Sequence, residues 1–346
     1  MERVKNIIKK ALSEKTATAI ALGVVRKGEK PLLIALGKEE ENGAEITKDT
    51  LFDIASLTKV VFTAPLVLKF AEKGMLSLKD SLNFYISGFP EEIALLSLLS
   101  HTSGIISWLP LYSEKCEGAP EKLQEVPEIT LETAVERIKK CGIVRKPFQK
   151  VEYSCMNYIL LAYILKKVSG EPLEKLAKEF FGEIGMENTM FNPPPEKPAV
   201  ATENLKGTVH DENARALRGV SGNAGIFSSL SDLSKFSEMI LNGGVSGEKK
   251  FLSRFSIKLM REVQTGNLRP RRTAGWIYGK DFGGAPDFAS EDSIGHSGFT
   301  GTSMFFDFKE NIAIIILTNR VYYGRENKKH LRLRRILSNA VYGEIL

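Results

Sequence analysis

Along MERVKNIIKKALSEK, Val4, Ile7, Ile8, Ala11 and Leu12 recur at helical spacing with charged residues between them. That pattern predicts an amphipathic N-terminal helix docking one face on a core. Two apolar runs follow, ATAIALGVV and PLLIALG, separated by the turn-like RKGEK, and they predict a hairpin. From Ser56 to Lys73 a helical pattern returns at Val60, Val61, Leu66, Val67 and Phe70, with Gly74 as the stop. Pro65 lies midway without an N–H to donate, which predicts a kink. Between about 86 and 270 the chain is mostly helical periodicity joined by Pro- and Gly-rich connections such as NPPPEKP, with no internal repeat. Near the end GTSMFFDF and NIAIIILTN, separated by KE, predict a second hairpin. The stripe Leu333, Ile336, Leu337, Ala340 and Val341 predicts a closing helix whose charges are solvated.

Sheet-forming segments at both ends of the chain have an economical solution. The expected fold is α+β: one antiparallel sheet assembled from both termini, flanked by the terminal helices, with a mostly helical subdomain inserted. The expected division is 1–85 with 271–346 as a discontinuous sheet domain and 86–270 as the helical subdomain.

Composition narrows the function classes. A chain of 346 residues, 43% hydrophobic, can bury a large core without staples. Cys116, Cys141 and Cys155 stand at unrelated spacings that give neither a disulfide framework nor a zinc knuckle, which fits a reducing compartment. The run TATAIALGVV, about ten residues, is too short to span a bilayer and lacks a cleavage-site continuation, so a cytoplasmic location with no membrane partner is expected. A net charge of +6 raises the question of nucleic acid, but lysines and glutamates are interspersed, and no such partner is expected.

Within FDIASLTKV, Ser56 and Lys59 are three residues apart and would share a helix face. A serine hydroxyl becomes a useful nucleophile when a base takes its proton, and a lysine serves if burial depresses its pKa. The expectation is therefore a buried, partly deprotonated Lys59. The spacing alone is weak, since Ser246 and Lys249 repeat it within the turn-like GGVSGEKK. Ser56 differs because it opens an apolar helix after an extended LFDIA. Tyr153, ahead of the apolar helix in VEYSCMNYILLAYILKK, offers a phenol that can share the proton. In GHSGFTGTS, His296, Ser297 and Gly298 open a strand where glycine permits close approach, and the N–H of Phe299 is a natural oxyanion donor beside that of Ser56.

Taken in order, Ser56-Leu57-Thr58-Lys59, Tyr153-Ser154-Cys155 and His296-Ser297-Gly298 resemble the three motifs of the class C β-lactamase and penicillin-binding-protein-like serine hydrolases. That family also includes carboxylesterases and D-amino-acid peptidases. LLSHTSGI and GTVHDENARALRGVSGNAGIFSSLSDLSKF support the resemblance, which covers about residue 16 to the end. It implies a β-lactamase/transpeptidase-like fold and a small-molecule substrate with no cofactor. It further implies Ser56 as acyl-forming nucleophile, Lys59 and Tyr153 as shared general base and acid, and His296 with Ser297 facing the substrate.

The sequence departs from the pattern twice. Cys155 stands where class C β-lactamases carry asparagine, and Asn157 would point elsewhere on a helix, so Cys155 is read as a small wall residue. His296 stands where a lysine opens the third motif, and a mostly neutral imidazole grips a carboxylate less firmly. Both favour an esterase with weak β-lactamase activity, ahead of a D-alanyl peptidase or a non-catalytic relative. Trp276 in AGWIYG reads either as core or as substrate wall. His101 reads as a structural histidine in a loop that the resemblance places near the site. His210 and Asp211 lack a third ligand at usable spacing, so no metal is expected.

Overall fold

The computed structural model describes residues 1–115 and 126–345. Cys116 lies outside them, while Cys141 and Cys155 are free thiols. The strands are β1 (Ala19–Arg26), β2 (Leu32–Gly37), β3 (Phe52–Asp53), β4 (Met190–Phe191), β5 (Ile226–Ser228), β6 (Val245–Ser246), β7 (Lys249–Lys250), β8 (Ile277–Tyr278), β9 (Ser293–Ser297), β10 (Ser303–Asp307) and β11 (Ile312–Thr318). Six of them form one sheet in the order β2-β1-β11-β10-β9-β8, antiparallel throughout. The N-terminal hairpin and the C-terminal strands meet at the β1–β11 pair, where Ile20 faces Thr318 and Arg26 faces Ile312. Both hairpins expected from the apolar runs are present, and the sheet is built from both termini.

Strand alternation divides the apolar residues between two cores. Ile20, Leu22 and Val24 of β1 and Ile314 and Ile316 of β11 point to one side. There they meet Val4 and Ile8 of α1 (Glu2–Ser13) and Leu333, Leu337 and Val341 of the helix Lys329–Ile345. Ala19, Ala21, Ile315 and Leu317 point the other way, into a core shared with Leu161, Leu165, Leu233 and Phe236 from the helices Cys155–Ser169 and Leu230–Leu241. Burying such a leucine or isoleucine stabilises by about 2 kcal/mol, so a sheet covered on both faces gains from each residue in turn. Sequence regions 1–85 and 86–270 therefore share a core on the second face. Among the described residues no helix is long and apolar enough to cross a membrane.

The stretch expected as one helix from Ser56 is three pieces. A 3-10 turn covers Ala55–Leu57, a wider π turn Lys59–Thr63, and α2 runs from Ala64 to Glu72. Pro65 falls in the first turn of α2, where no N–H is required, so the expected mid-helix kink is absent. Gly74 terminates the segment at φ +69°, a left-handed conformation that glycine adopts at little cost.

Candidate active site

Ser56 sits on a turn that several elements hold in place. The preceding residue, Ala55, has φ +47°, a left-handed conformation costing about 1–2 kcal/mol for a residue with a side chain. Asp53 supports it. One carboxylate oxygen accepts the N–H of Ala55 at 2.8 Å, and the other accepts the N–H of His210 at 2.7 Å. The Thr300 hydroxyl donates to the Asp53 carbonyl at 2.8 Å and that of Thr302 to the Ile54 carbonyl at 3.1 Å, tying the β9–β10 connection to the same turn. Gly298 is required at that contact. A Cβ there would lie 2.2 Å from Thr302 Oγ1 and 2.5 Å from the Ile54 carbonyl oxygen.

Three residues on from Ser56, at the start of the π turn, the fully buried Lys59 places Nζ 2.9 Å from Ser56 Oγ, 2.8 Å from the Asn223 carbonyl and 3.5 Å from Cys155 Sγ. The same nitrogen is 5.0 Å from the centroid of the Tyr153 ring. Burial works to lower the lysine's pKa, while Cys155 and then Tyr153, when ionised, raise it, and the balance is upward. An amine depressed by burial alone was the expectation, and the two acidic partners held against it reverse the direction. Tyr153 and Cys155 are pushed up by burial and drawn back by Lys59. Amine and phenol thus titrate as one coupled unit that can hold or release a proton.

Tyr153 is fixed by the loop that contains His101. The His101 carbonyl accepts the N–H of Glu152 at 2.9 Å and its Nδ1 that of Ser154 at 3.0 Å, bracketing the tyrosine, while the two rings lie 4.7 Å apart. Ser154 donates its hydroxyl to the Ile106 carbonyl at 2.6 Å and caps the helix Cys155–Ser169. Asn157 stays out of the cavity: its amide joins Ser103 and Leu98 instead.

A cavity of about 880 Å³ opens at Ser56, and Tyr153, Cys155, His296, Ser297, Gly298 and Phe299 all line it. Trp276, read from the sequence as either core or substrate wall, does not line it. It is fully buried, edge-on to Phe306 at 5.3 Å, and its neighbour Ile277 takes the cavity side. Trp276 is a core residue, a correction that follows from consecutive residues facing opposite ways. His210 is engaged by Glu203 at 3.1 Å and by the Phe299 ring, stacked at 5.5 Å. Ser246 and Lys249 sit in the β6–β7 hairpin, far from helical geometry.

Sequence reasoning missed Asp53, Thr302 and the Asn223 carbonyl, and it read the basic C-terminal run as solvated. The structure instead puts Arg334 in the cavity wall, 6% exposed, alongside Arg272 at 4%. The Arg272 guanidinium lies 5.4 Å from the Tyr153 ring centroid, with two nitrogens unpartnered. Burial first, then Arg272 and Lys59, hold His101 and His296 well below the ordinary imidazole value. Both rings are therefore neutral in the folded protein and protonate near pH 6.5 only when unfolded. Below that pH the unfolded chain binds more protons, and stability falls by about 1.4 kcal/mol per pH unit for each histidine. Denaturant melts are expected to show a midpoint declining from pH 7 to pH 5, and a flat midpoint would mean that the folded rings take up protons.

The geometry has parallels among known proteins. A Salmonella typhi protein provisionally named a D-alanyl-D-alanine carboxypeptidase is 28% identical, the match covering 87% of this chain and 77% of that protein. The octameric penicillin-binding protein homologue from Pyrococcus abyssi superposes with a TM-score of 0.78 at 22% identity, covering 99% of this chain and 77% of its own. EstCE1, a hydrolase with promiscuous acyltransferase activity, gives 0.79 at 20% identity over 98% of both chains. The fold is therefore the one shared by penicillin-binding-protein-like and β-lactamase-like serine hydrolases. The Beta-lactamase family model matches residues 4–338, nearly the whole chain with all three motifs inside it, and the protein belongs to that family.

Proposed function

We propose that this protein is a serine hydrolase that forms an acyl-enzyme on Ser56 and releases it with water. The carrying observation is the 2.9 Å contact between Lys59 Nζ and Ser56 Oγ on a fully buried lysine. Ser56 Oγ attacks the carbonyl carbon and its proton passes to the Lys59–Tyr153 unit. The N–H groups of Ser56 and Phe299 stabilise the oxyanion. The bond to the leaving group breaks as that group takes the proton. Water then attacks the acyl carbon, gives a proton to the same unit, and the ester to Ser56 breaks with the hydroxyl restored.

Within that chemistry we favour small esters, with weak turnover of β-lactams. Cys155 supplies no amide to an acyl side chain, and His296 is neutral where a lysine would hold a carboxylate. A D-alanyl carboxypeptidase or D-aminopeptidase is the second reading, favoured by the unpaired Arg272 on the cavity wall. The test uses a short-chain nitrophenyl ester, a chromogenic cephalosporin and a D-Ala-D-Ala peptide side by side. Ser56→Ala is expected to reduce hydrolysis of the ester to the rate in buffer, and an activated phosphonate should add its mass to Ser56. Unchanged ester hydrolysis in Ser56→Ala would overturn the reading, and the absence of any adduct or turnover would mark a non-catalytic relative.

A further inference from the structure

A lysine held as an ammonium ion must shed a proton before it can take one from Ser56, and a group able to receive that proton lies beside it. The three N–H bonds of an ammonium match the contacts from Lys59 Nζ to Ser56 Oγ at 2.9 Å, the Asn223 carbonyl at 2.8 Å and Cys155 Sγ at 3.5 Å. The hydroxyl is the source of the incoming proton, and a carbonyl is too weakly basic to hold one. The thiol can cycle between S–H and thiolate.

The surroundings of this sulfur favour the anion. Cys155 is the first residue of the fifteen-residue helix Cys155–Ser169, whose free N-terminal N–H groups carry partial positive charge. Fully buried Asn223 accepts the Ser221 hydroxyl at Oδ1, 2.7 Å away, and among the described residues its Nδ2 has no oxygen acceptor. Burial pushes the thiol up, Lys59 draws it back, Asp211 adds to the rise and the Asn223 amide lowers it.

Tyr153 is the competing acceptor. An ordinary thiol titrates near about 8.5 and a phenol near about 10. Burial raises both here and Lys59 lowers both, so the thiol releases its proton first. After burial, Cys155 also acts on Lys59 more strongly than Tyr153 or Asp211 does. Arg272, 5.4 Å from the Tyr153 ring, stays charged, and His101 and His296 stay neutral, so none of the three receives the proton.

We infer that Cys155 is the proton acceptor that frees Lys59, the resting pair being a Lys59 ammonium and a Cys155 thiolate. The inference deepens the acylation proposed at Ser56 and rests on it. As the bond from Ser56 Oγ to the carbonyl carbon forms, the Oγ–H bond breaks and its proton goes to Lys59 Nζ, which passes one of its own to Cys155 Sγ. The negative charge leaves the sulfur and appears on the carbonyl oxygen, and net charge is unaltered. When the leaving group departs it takes a proton from Nζ, and Sγ returns one to Nζ.

The pH profile of kcat/KM for a short-chain nitrophenyl ester tests this, together with alkylation of Cys155 by iodoacetamide over the same range, read by mass spectrometry. Cys155 is partly exposed and lines the cavity, within reach of the reagent. In Cys155→Ser the acid limb should move up by at least about one pH unit, the margin between thiol and phenol, and turnover at neutral pH should fall about tenfold and return as the pH rises. A residue that only fills space would lower the rate equally at every pH. In the parent, alkylation and the acid limb should share one midpoint, and Lys59→Met should raise the alkylation midpoint because the cation beside the sulfur is gone. An acid limb unmoved in Cys155→Ser, or a thiol midpoint indifferent to Lys59→Met, would each overturn the inference. A parent whose thiol titrates through Lys59 but which hydrolyses no ester would sink the hydrolase reading alone and leave the coupled pair standing.

Discussion

Exchanging Lys59 for arginine is expected to lower kcat for a short-chain nitrophenyl ester by at least about 10³-fold, roughly 4 kcal/mol of transition-state stabilisation. The charge is kept and the proton transfer is not. A guanidinium stays protonated across the accessible pH range and cannot take the Ser56 proton. Lys59 can once it has released its own proton, and its Nζ lies 2.9 Å from Ser56 Oγ beside the Tyr153 ring. Its contact to the Asn223 carbonyl at 2.8 Å is available to either side chain, so the position of the segment does not depend on lysine. A larger head group in a fully buried place costs about 1–3 kcal/mol of stability by overpacking, which a melt separates from the kinetic loss. Lys59→Met supplies the neutral control. It should lose as much turnover as Lys59→Arg, and a variant of either kind within tenfold of the parent would remove Lys59 from the proton path.

Which parts of this site were legible in the sequence follows from the range of the contacts. Ser56 and Lys59 are three residues apart, Ser56 on the 3-10 turn and Lys59 opening the π turn that follows, and a three-residue step keeps two side chains on one face in a 3-10 as in an α turn, so spacing predicts their meeting. Tyr153 and His296 were identifiable from local context, a polar residue ahead of an apolar helix and a glycine-flanked strand start. The Asn223 carbonyl that receives Lys59 is 164 residues away and belongs to the main chain, for which residue type carries no signal. Thr302 reaches Ile54 across 248 residues for the same reason. Arg334 was misread because the stripe at Leu333, Leu337 and Val341 marks only the centre of the buried face. His330, Arg334 and Ser338 recur at four-residue spacing along its edge, and all three are buried. The rule that charge faces solvent fails at that edge because the sheet end leaves a cavity there, and a cavity admits a guanidinium where a packed core would not.

A second large loss is expected from Gly298→Ala, which adds one methyl outside the reacting groups. Its Cβ would lie 2.2 Å from Thr302 Oγ1, 2.5 Å from the Ile54 carbonyl and 3.2 Å from Ala55 Cβ. The hydroxyl can rotate away, but the carbonyl belongs to the main chain entering the Ser56 turn, so relief must come from separating that turn from the β9–β10 connection. Phe299 follows Gly298 directly, and its N–H is the second oxyanion donor in the proposed mechanism. A shift of about 1 Å at such a site costs on the order of 10²-fold in rate, and complete loss of one oxyanion donor 10²–10³-fold. The expected result is a fall in kcat of about 10²-fold or more with a smaller change in KM. Phosphonylation of Ser56 should slow in parallel, because that adduct uses the same donors. Adding Thr302→Ala separates the two contacts: it removes the side-chain clash and leaves the carbonyl clash, so activity should stay low in the double variant. Recovery of activity there would place the constraint on the threonine hydroxyl and not on the approach of the two main chains.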